Sequence, residues 1–387
     1  MNTNELTDDT VRELSEVEAP EPVVVSLFLD LDPAEFATAP ARSTQITSLL
    51  SDLDAELRER ELSHDAKVAV GADRERLEAF LRDDDLDTGG AGALAVFASD
   101  ALDLFTAVKL PEPVDAAVHV GERPVMEPLM AFHDEGDWCV LLVTRDTARI
   151  LRGGPTGLRE LRGLRSDVKN QHSAGGWSQA RFERSVEQDV ASHLAAATDL
   201  LFRHFKRKPF DHLIIGADND ALRPALGDET HSYLAERTRG WVDIDEQLAT
   251  PDEVLAAVRG VMDEHRAAEE RALFERLAAE RGTNGRAADG LDGVLAALVE
   301  RRVEALLVRE GATAPGRSCV TCGWIGPAGQ DSCPVDGTTL DEVDNVIEPA
   351  IQAAVQQSAA VQVIRPPEGE EHDDAPFDGP VAALLRF

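Results

Sequence analysis

The sequence predicts an α/β chain built as three α/β domains in tandem, and three observations lead there. Its 387 residues exceed what one typical core accommodates. Apolar runs of strand length alternate with amphipathic stretches of helical period along the whole chain. The pattern also breaks twice, across Pro111–Pro124 and at a strongly marked helix start at Thr250. These breaks divide the chain into a leader over 1–20, an N-terminal domain over 21–130, a middle domain over 131–264 and a C-terminal domain over 265–387.

The leader, MNTNELTDDTVRELSEVEAPEP, is polar and acidic. It lacks the basic and apolar regions of a signal peptide, and no apolar run in the chain reaches membrane-spanning length. The expectation is a disordered leader on a cytoplasmic protein. VVVSLFLDLD (23–32) reads as a buried strand. Ile46, Leu49, Leu50, Leu53 and Leu57 share one helical face, and RERLEAFL (74–81) forms a second helix. DDDLDTGGAG is a loop. ALAVFAS (93–99) and LDLFTAV (102–108) read as paired strands.

In the middle domain, CVLLVTRDTARILR (139–152) reads as two strands around a turn at Arg145-Asp146. A polar stretch rich in Gly, Arg and Ser runs to Gly176. A long helix follows, with Phe182, Val186, Val190, Leu194, Ala197, Leu201 and Phe205 spaced by threes and fours. HLIIGA (212–217) is a short buried strand. Thr250, Pro251 and Glu253 then make a capping box with proline at the first helical position, and that helix runs to about Arg281. GVLAALVERR (293–302) and AIQAAVQQSA (350–359) are helices. VEALLV (303–308) and VQVIR (361–365) are strands, and the chain closes on GPVAALLRF.

The net charge of −35 argues against nucleic acid when taken as a sum. Its distribution argues differently. Residues 145–184 hold nine basic and four acidic side chains, and Arg203 and Lys206-Arg207-Lys208 follow shortly after. Charge alone leaves open whether this basic island meets a polyanion or is a solvated face. The chain has five lysines, a bias that suits either a salt-rich cytoplasm or a GC-rich genome. It carries no P-loop, no HExxH and no Gly-x-Ser-x-Gly, so no nucleotide cofactor is expected.

Two sites stand out. The first is the loop-to-helix junction Asp167–Arg184, where Gly175 and Gly176 form a polar tip between basic residues. Glycines without Cβ let a backbone approach another molecule closely, and the long helix behind them is a rigid support. The second is Cys319-x2-Cys322-x10-Cys333-x2-Asp336, in an insert over 317–338, with Gly323 and Gly337 following the second and fourth positions. Zinc accepts carboxylate beside thiolate, so Cys3Asp is a reasonable donor set for one structural zinc. A relic loop held by packing is the alternative. Cys139, alone in a predicted strand, reads as core, and His212 beside a strand reads as structural.

Gly175-Gly176-Trp177-Ser178 followed by Arg181-Phe182-Glu183-Arg184 resembles the Gly-Gly-Gln-Ser and Arg-Phe-x-Arg segment of the eukaryotic/archaeal-type class-I release factors and their Pelota relatives. VVVSLFLDLDP, the Thr250 helix and the closing GPVAALLRF fall in the order of that superfamily, so the resemblance covers roughly 20–387. It implies three α/β domains, the third an α/β/α sandwich with a small zinc-ribbon-like insert. It implies a ribosomal A-site binder that meets rRNA and peptidyl-tRNA in the cytoplasm, with a translational GTPase as a further partner. Taken with the basic island, the expected RNA contacts are Lys169, Trp177, Ser178, Arg181, Arg184, Arg203, Lys206, Arg207 and Lys208.

Two departures bear on activity. The position of the family's water-orienting Gln is Trp177, and a glutamine stands two residues on, as Gln179. A displaced Gln of this kind occurs in related peptidyl-tRNA hydrolases of ribosome rescue. On that reading Gln179, Gly175 and Gly176 form the catalytic loop. The alternative is a non-catalytic occupant of the A site, as in the hibernation factor Balon, with Trp177 stacking on RNA. Second, LSHDAKVAVGADRER (62–76) stands where such factors carry Asn-Ile-Lys-Ser, so no stop-codon decoding is expected.

Overall fold

A computed structural model describes residues 3–387 apart from 5, 33–38, 61, 84–85, 87, 90, 134–135, 167–178, 218–221, 245–249, 284 and 366–374. The chain divides into two compact units, one formed by 1–134 with 270–387 and the other by 135–269.

The leader read as disordered over 1–20 instead carries helix α1 (Asp8–Ser15). The Thr10 N–H donates to the Thr7 hydroxyl at 3.2 Å, capping the helix. Val11 and Leu14, three residues apart, are buried. That stripe of two apolar residues is too short to read against its acidic flanks. Strand β1 (Val24–Asp30), helices α2 (Ala39–Glu59) and α3 (His64–Leu81), and strands β2 (Ala93–Ser99), β3 (Leu104–Leu110) and β4 (Ala117–Gly121) follow. The strands pair antiparallel in the order β3-β2-β1-β4. Helix α3 starts ten residues before the stretch read from its apolar spacing, because Ser63 caps it and accepts the Ala66 N–H at 3.1 Å. The short helix α4 (Glu127–Met130) ends this part.

The middle unit starts with β5 (Trp138–Val143) and β6 (Thr147–Gly154), which turn around Arg145-Asp146 as expected. The turn is held by Thr144, whose hydroxyl accepts the Thr147 N–H at 3.0 Å. Next come β7 (Gly157–Arg165), α5 (Gln179–Arg207), β8 (His212–Ala217), α6 (Leu222–Glu229), α7 (Ser232–Ala235) and β9 (Thr238–Asp243). The five strands are ordered β7-β6-β5-β8-β9, with β8 parallel to both β5 and β9. Leu194, Ala197 and Leu201 of α5 cover one face of this sheet, against Leu141, Ile150 and Ile215. Val254, Leu255, Val258 and Met262 of α8 (Pro251–Thr283) cover the other, against Val140, Leu142 and Ile214. The capping box is formed: the Glu253 carboxylate accepts the Thr250 N–H at 2.7 Å, and the Thr250 hydroxyl accepts the Glu253 N–H.

The rest of the first unit is β10 (Ala287–Asp289), α9 (Gly290–Val299), β11 (Val303–Arg309), β12 (Gly316–Ser318), β13 (Ile325–Pro327), β14 (Asp341–Val343), α10 (Ile347–Gln356), β15 (Ala360–Ile364) and β16 (Val381–Leu385). Its main sheet is β10-β16-β11-β15, and β13-β12-β14 forms a separate small sheet. Leu295, Leu298, Ile347 and Ile351 of α9 and α10 pack on one face of the main sheet, and Leu277 of α8 on the other. This is the α/β/α layering expected of the third domain.

Alternation along β2 explains why the first and third expected domains share a unit. Leu94, Val96 and Ala98 pack toward α2 and α3. Ala93, Ala95 and Phe97 join Phe28, Leu110 and the α10 residues in one cluster. A strand buried on both faces reads as a near-continuous apolar run, as 23–29 (with Ser26 alone polar) and 93–98 do.

Polar side chains of α10 stitch the same seam. The Gln352 side-chain amide donates to the Pro124 carbonyl at 3.0 Å. The Glu348 carboxylate accepts the backbone N–H of Met126 at 2.8 Å and of Glu127 at 3.3 Å. Although part of the Glu348 residue reaches solvent, its carboxyl group is enclosed, and that burial pushes its pKa up to about 7; the Met126 N–H opposes the shift and nearby Glu127 adds to it. A raised carboxyl pKa means the folded state holds the proton more tightly than the unfolded chain. Stability therefore falls as pH rises from the unfolded value of about 4.5 toward 7 and then levels. Glu348→Gln should gain on wild type across that window, by on the order of 2 kcal/mol at pH 8. Thermal unfolding at pH 5 and pH 8 checks this, and an equal gap between the two proteins at both values refutes it.

Candidate functional site

The loop tip is joined to β7 at one end and to α5 at the other. Lys169, Gly175, Gly176, Trp177 and Ser178 lie outside the described residues. Gln179 and Arg181 stand in the first turn of α5, and Arg184 is exposed on the next. The start of the loop is fixed at Ser166, whose hydroxyl lies 2.8 Å from Nδ1 of His193. Helix α5 has 29 residues, a rod of about 43 Å at 1.5 Å per residue.

That length separates the expected RNA-binding residues. Arg203, Lys206, Arg207 and Lys208 are exposed at the far end of α5. They stand about 40 Å along the axis from Gln179. The structure therefore does not bring them together with Gln179 and Arg181 at the helix start. Basic residues in the last turn also suit the negative end of the helix dipole.

The island divides again on the sheet. Arg145, Arg159, Arg162 and Arg165 are exposed on the β5–β6 turn and on β7, one of the two edge strands. Arg149 is bound to Glu160 at 2.7 Å. Arg152 belongs to the interior, at 3% exposure. Its Nε donates to the Asp137 carboxylate at 2.7 Å, and a second nitrogen donates to the other oxygen. It also donates to the Lys208 carbonyl at 2.6 Å and to the Pro209 carbonyl. Counting charges in sequence cannot separate this structural cation from its exposed neighbours.

Cys139 is core, as expected, and burial pushes its thiol well above the ordinary range. His212 is structural. Its ring lies 4.5 Å from that of Trp138 and 4.4 Å from that of His265, and Nδ1 accepts from Arg239 at 3.1 Å. Burial, followed by the neighbouring His265 and Arg239, lowers its pKa to about 4, so it is neutral near pH 7.

In the first unit, the ligand atoms of Cys319, Cys322, Cys333 and Asp336 all lie within 4.8 Å of one another. Two turns with one hydrogen-bond pattern present them. Cys319 N donates to the Trp324 carbonyl and Gly323 N to the Cys319 carbonyl; Cys333 N donates to the Thr338 carbonyl and Gly337 N to the Cys333 carbonyl. Gly323 and Gly337 take φ of +71° and +75°, the left-handed region these turns require. Asp336 thus occupies in the second turn the place Cys322 holds in the first. The Thr338 N–H, donating at 2.9 Å, holds its carboxyl well below the usual range, ready as an anionic donor. The donor set and its spacing fit a tetrahedral thiophilic cation.

Residues 124–263 match the family model described as Bacterial archaeo-eukaryotic release factor family 10. The chain is 27% identical over 208 residues to peptide chain release factor subunit 1 of Methanopyrus kandleri, an alignment spanning 52% of this chain and 51% of that protein. It therefore spans about half the length of the curated relative it matches. Among solved structures, the archaeal termination factor aRF1 aligns over 99% of both chains at 18% identity and TM-score 0.27. A ribosome-bound archaeal Pelota, solved with ABCE1, aligns over 100% of this chain and 95% of that one, at 15% identity and TM-score 0.43. The chain is thus similar to the archaeo-eukaryotic release factors, as the Gly-Gly and Arg-Phe-x-Arg pattern implies, and the family match falls mostly on the middle unit.

Arg152→Met leaves Asp137 and two carbonyls without their donor. It should cost about 3 kcal/mol of the middle unit's stability. Amide exchange in β5 and β6 should speed by about a hundredfold while β1 and β2 stay unchanged. Arg162→Met, on the exposed strand, is the comparison; similar exchange in both variants would remove the distinction between them.

Proposed function

We propose that this chain is a release-factor-like translation factor that binds the ribosomal A site and presents the Gly175-Gly176 loop to the peptidyl-transferase centre without decoding a stop codon. The observation that carries the reading is the family match over 124–263, which spans the Gly175-Gly176 tip and the Arg181-Phe182-Glu183-Arg184 start of α5. A rod of this length is suited to holding a small backbone tip deep in a narrow, negatively charged site, with exposed arginines of β7 and the Lys206-Arg207-Lys208 end meeting phosphates elsewhere. A translational GTPase and peptidyl-tRNA are the further partners, and the site of action is the cytoplasm.

The chemistry is hydrolysis of the peptidyl-tRNA ester in ribosome rescue. Water attacks the ester carbonyl carbon, the bond to the tRNA 3′-oxygen breaks, and that oxygen leaves with a proton. An amide side chain has no basic site near neutral pH, so Gln179 acts by orienting water through hydrogen bonds, with ribosomal RNA supplying the remaining contacts. Trp177 at the usual Gln position favours a second reading, a non-catalytic occupant that stacks on RNA during hibernation or stress. Release of labelled peptide from stalled ribosomes separates the two. Hydrolysis predicts release by wild type, and loss of at least about a hundredfold in Gln179→Ala with ribosome binding nearly intact. No release by wild type sinks the enzymatic reading.

The insert's structural metal is zinc on this reading. Cys319, Cys322, Cys333 and Asp336 would hold it, and it would fasten the two turns of the insert with no part in the reaction. Full-length protein should take up one equivalent. Asp336→Ala should weaken binding at least as much as loss of an outer hydrogen-bond partner does, about 10–100-fold, and Asp336→Cys should keep it tight. Equal affinity in Asp336→Ala and wild type, by competition with a chromogenic chelator, excludes the carboxylate as a ligand.

A further inference from the structure

A column of aromatic rings stands on the middle unit away from the loop tip. The rings of Phe202 and His231 are 4.0 Å apart and 15° from parallel; those of His231 and Tyr233 are 5.2 Å apart and 9° from parallel. At the Phe202 end the Lys206 ammonium lies 4.3 Å from the ring centroid. Phe205 extends that end, 6.5 Å from Phe202 and 13° from parallel, with the Arg237 guanidinium 4.8 Å from its centroid. At the other end Tyr233 is 55% exposed, and it is the chain's one tyrosine.

The local sequence sets this geometry. Phe202, Phe205 and Lys206 are spaced by three and four, so they share a face of α5. His231 caps α7, and its Nδ1 accepts the Tyr233 N–H at 3.4 Å, which ties the two rings to one short turn. Lys206 stands on the Phe202 end of the column, its sequence neighbours Arg203, Arg207 and Lys208 are exposed, and Glu236 is the acidic residue nearest Tyr233 in sequence. An aromatic column open to water at one end and carrying a cation at the other is an unfavourable arrangement for a core and a good one for a ligand that is both planar and anionic.

We propose that this column is a stacking platform for an unpaired nucleotide of an RNA strand. The base lies on the exposed Tyr233 ring, and Lys206, at the opposite end of the column, meets a phosphate further along the strand. The naming of RNA rests on the release-factor-like reading above; the platform itself rests on the ring and charge geometry. A single strand offers the flat face that Tyr233 requires, whereas a duplex hides its base faces in its own stack.

The test is binding of a labelled single-stranded RNA hexamer to the full chain at low salt, with an abasic hexamer and a duplex of the same sequence beside it. Tyr233→Ala and Tyr233→Leu should each weaken the hexamer by about tenfold, and Tyr233→Phe should bind like wild type. Tyr233→Leu keeps an apolar side chain without a π face, so it separates stacking from simple apolar contact. The abasic hexamer and the duplex should bind wild type weakly and ignore Tyr233. The platform is overturned if Tyr233→Leu binds the hexamer as wild type does, if the abasic strand binds equally well, or if an acidic peptide of the same charge competes at the same concentration. Sedimentation of wild type with ribosomes is scored separately. Hexamer binding without ribosome binding defeats the translational reading and leaves the platform standing; ribosome binding with no response to Tyr233 does the reverse.

Discussion

The middle unit depends on one buried guanidinium. Arg152 ties Asp137, just before β5, to the carbonyls of Lys208 and Pro209, just after α5. It thereby fixes the exit of the long helix against the start of the central strand. Paired charges of this kind owe little net stability to their attraction, because leaving water costs nearly as much. What they supply is geometry, since every donor has one partner it fits and few alternatives. Because α5 is a rod, fixing its C-terminal end also sets the direction in which its N-terminal end points.

The first unit is organised by a sheet with no free face. Its β2 strand sends alternate residues into two clusters, so helices α2 and α3 can cover only half of what must be buried. The other half is covered by Met126, Leu129 and the helices of 270–387. The apolar character of 23–29, broken at Ser26 alone, and of 93–98 is the legible trace of this in the sequence. What covers the second face is not legible, because residues that meet there are more than two hundred positions apart, as Pro124 and Gln352 are. Local pattern reports that a face is buried, and says nothing of its partner.

Long periodic elements were read well for the same reason. The spacing from Val186 to Phe205, the alternation around Arg145-Asp146 and the capping box at Thr250 each carry their own local physics. The β7, β9 and α1 segments were not read, and each is short, edge-placed or dense in charge. At the candidate sites, residue type and spacing led to the four donors of the insert, because two copies of one turn repeat in sequence. The basic island was legible as charge. Its division into an interior cation, an exposed strand and a distant helix end was not, and neither was the ring column, whose members meet only when α5 and α7 pack.

Strand β7 has a further consequence. Among the described residues it is an outer strand of its sheet, with one row of backbone donors and acceptors turned away from β6. Such a row is a template for pairing with a second molecule, and proteins that remain monomeric guard it with charge. Here the guards are Arg159, Arg162 and Arg165, which repel a like copy of themselves. A polyanion seated on that strand would neutralise the same arginines. Selection for anion contact and selection against self-association therefore act on one set of side chains, and neutral replacements there open a route to sheet-to-sheet aggregation as well as weakening whatever the strand holds.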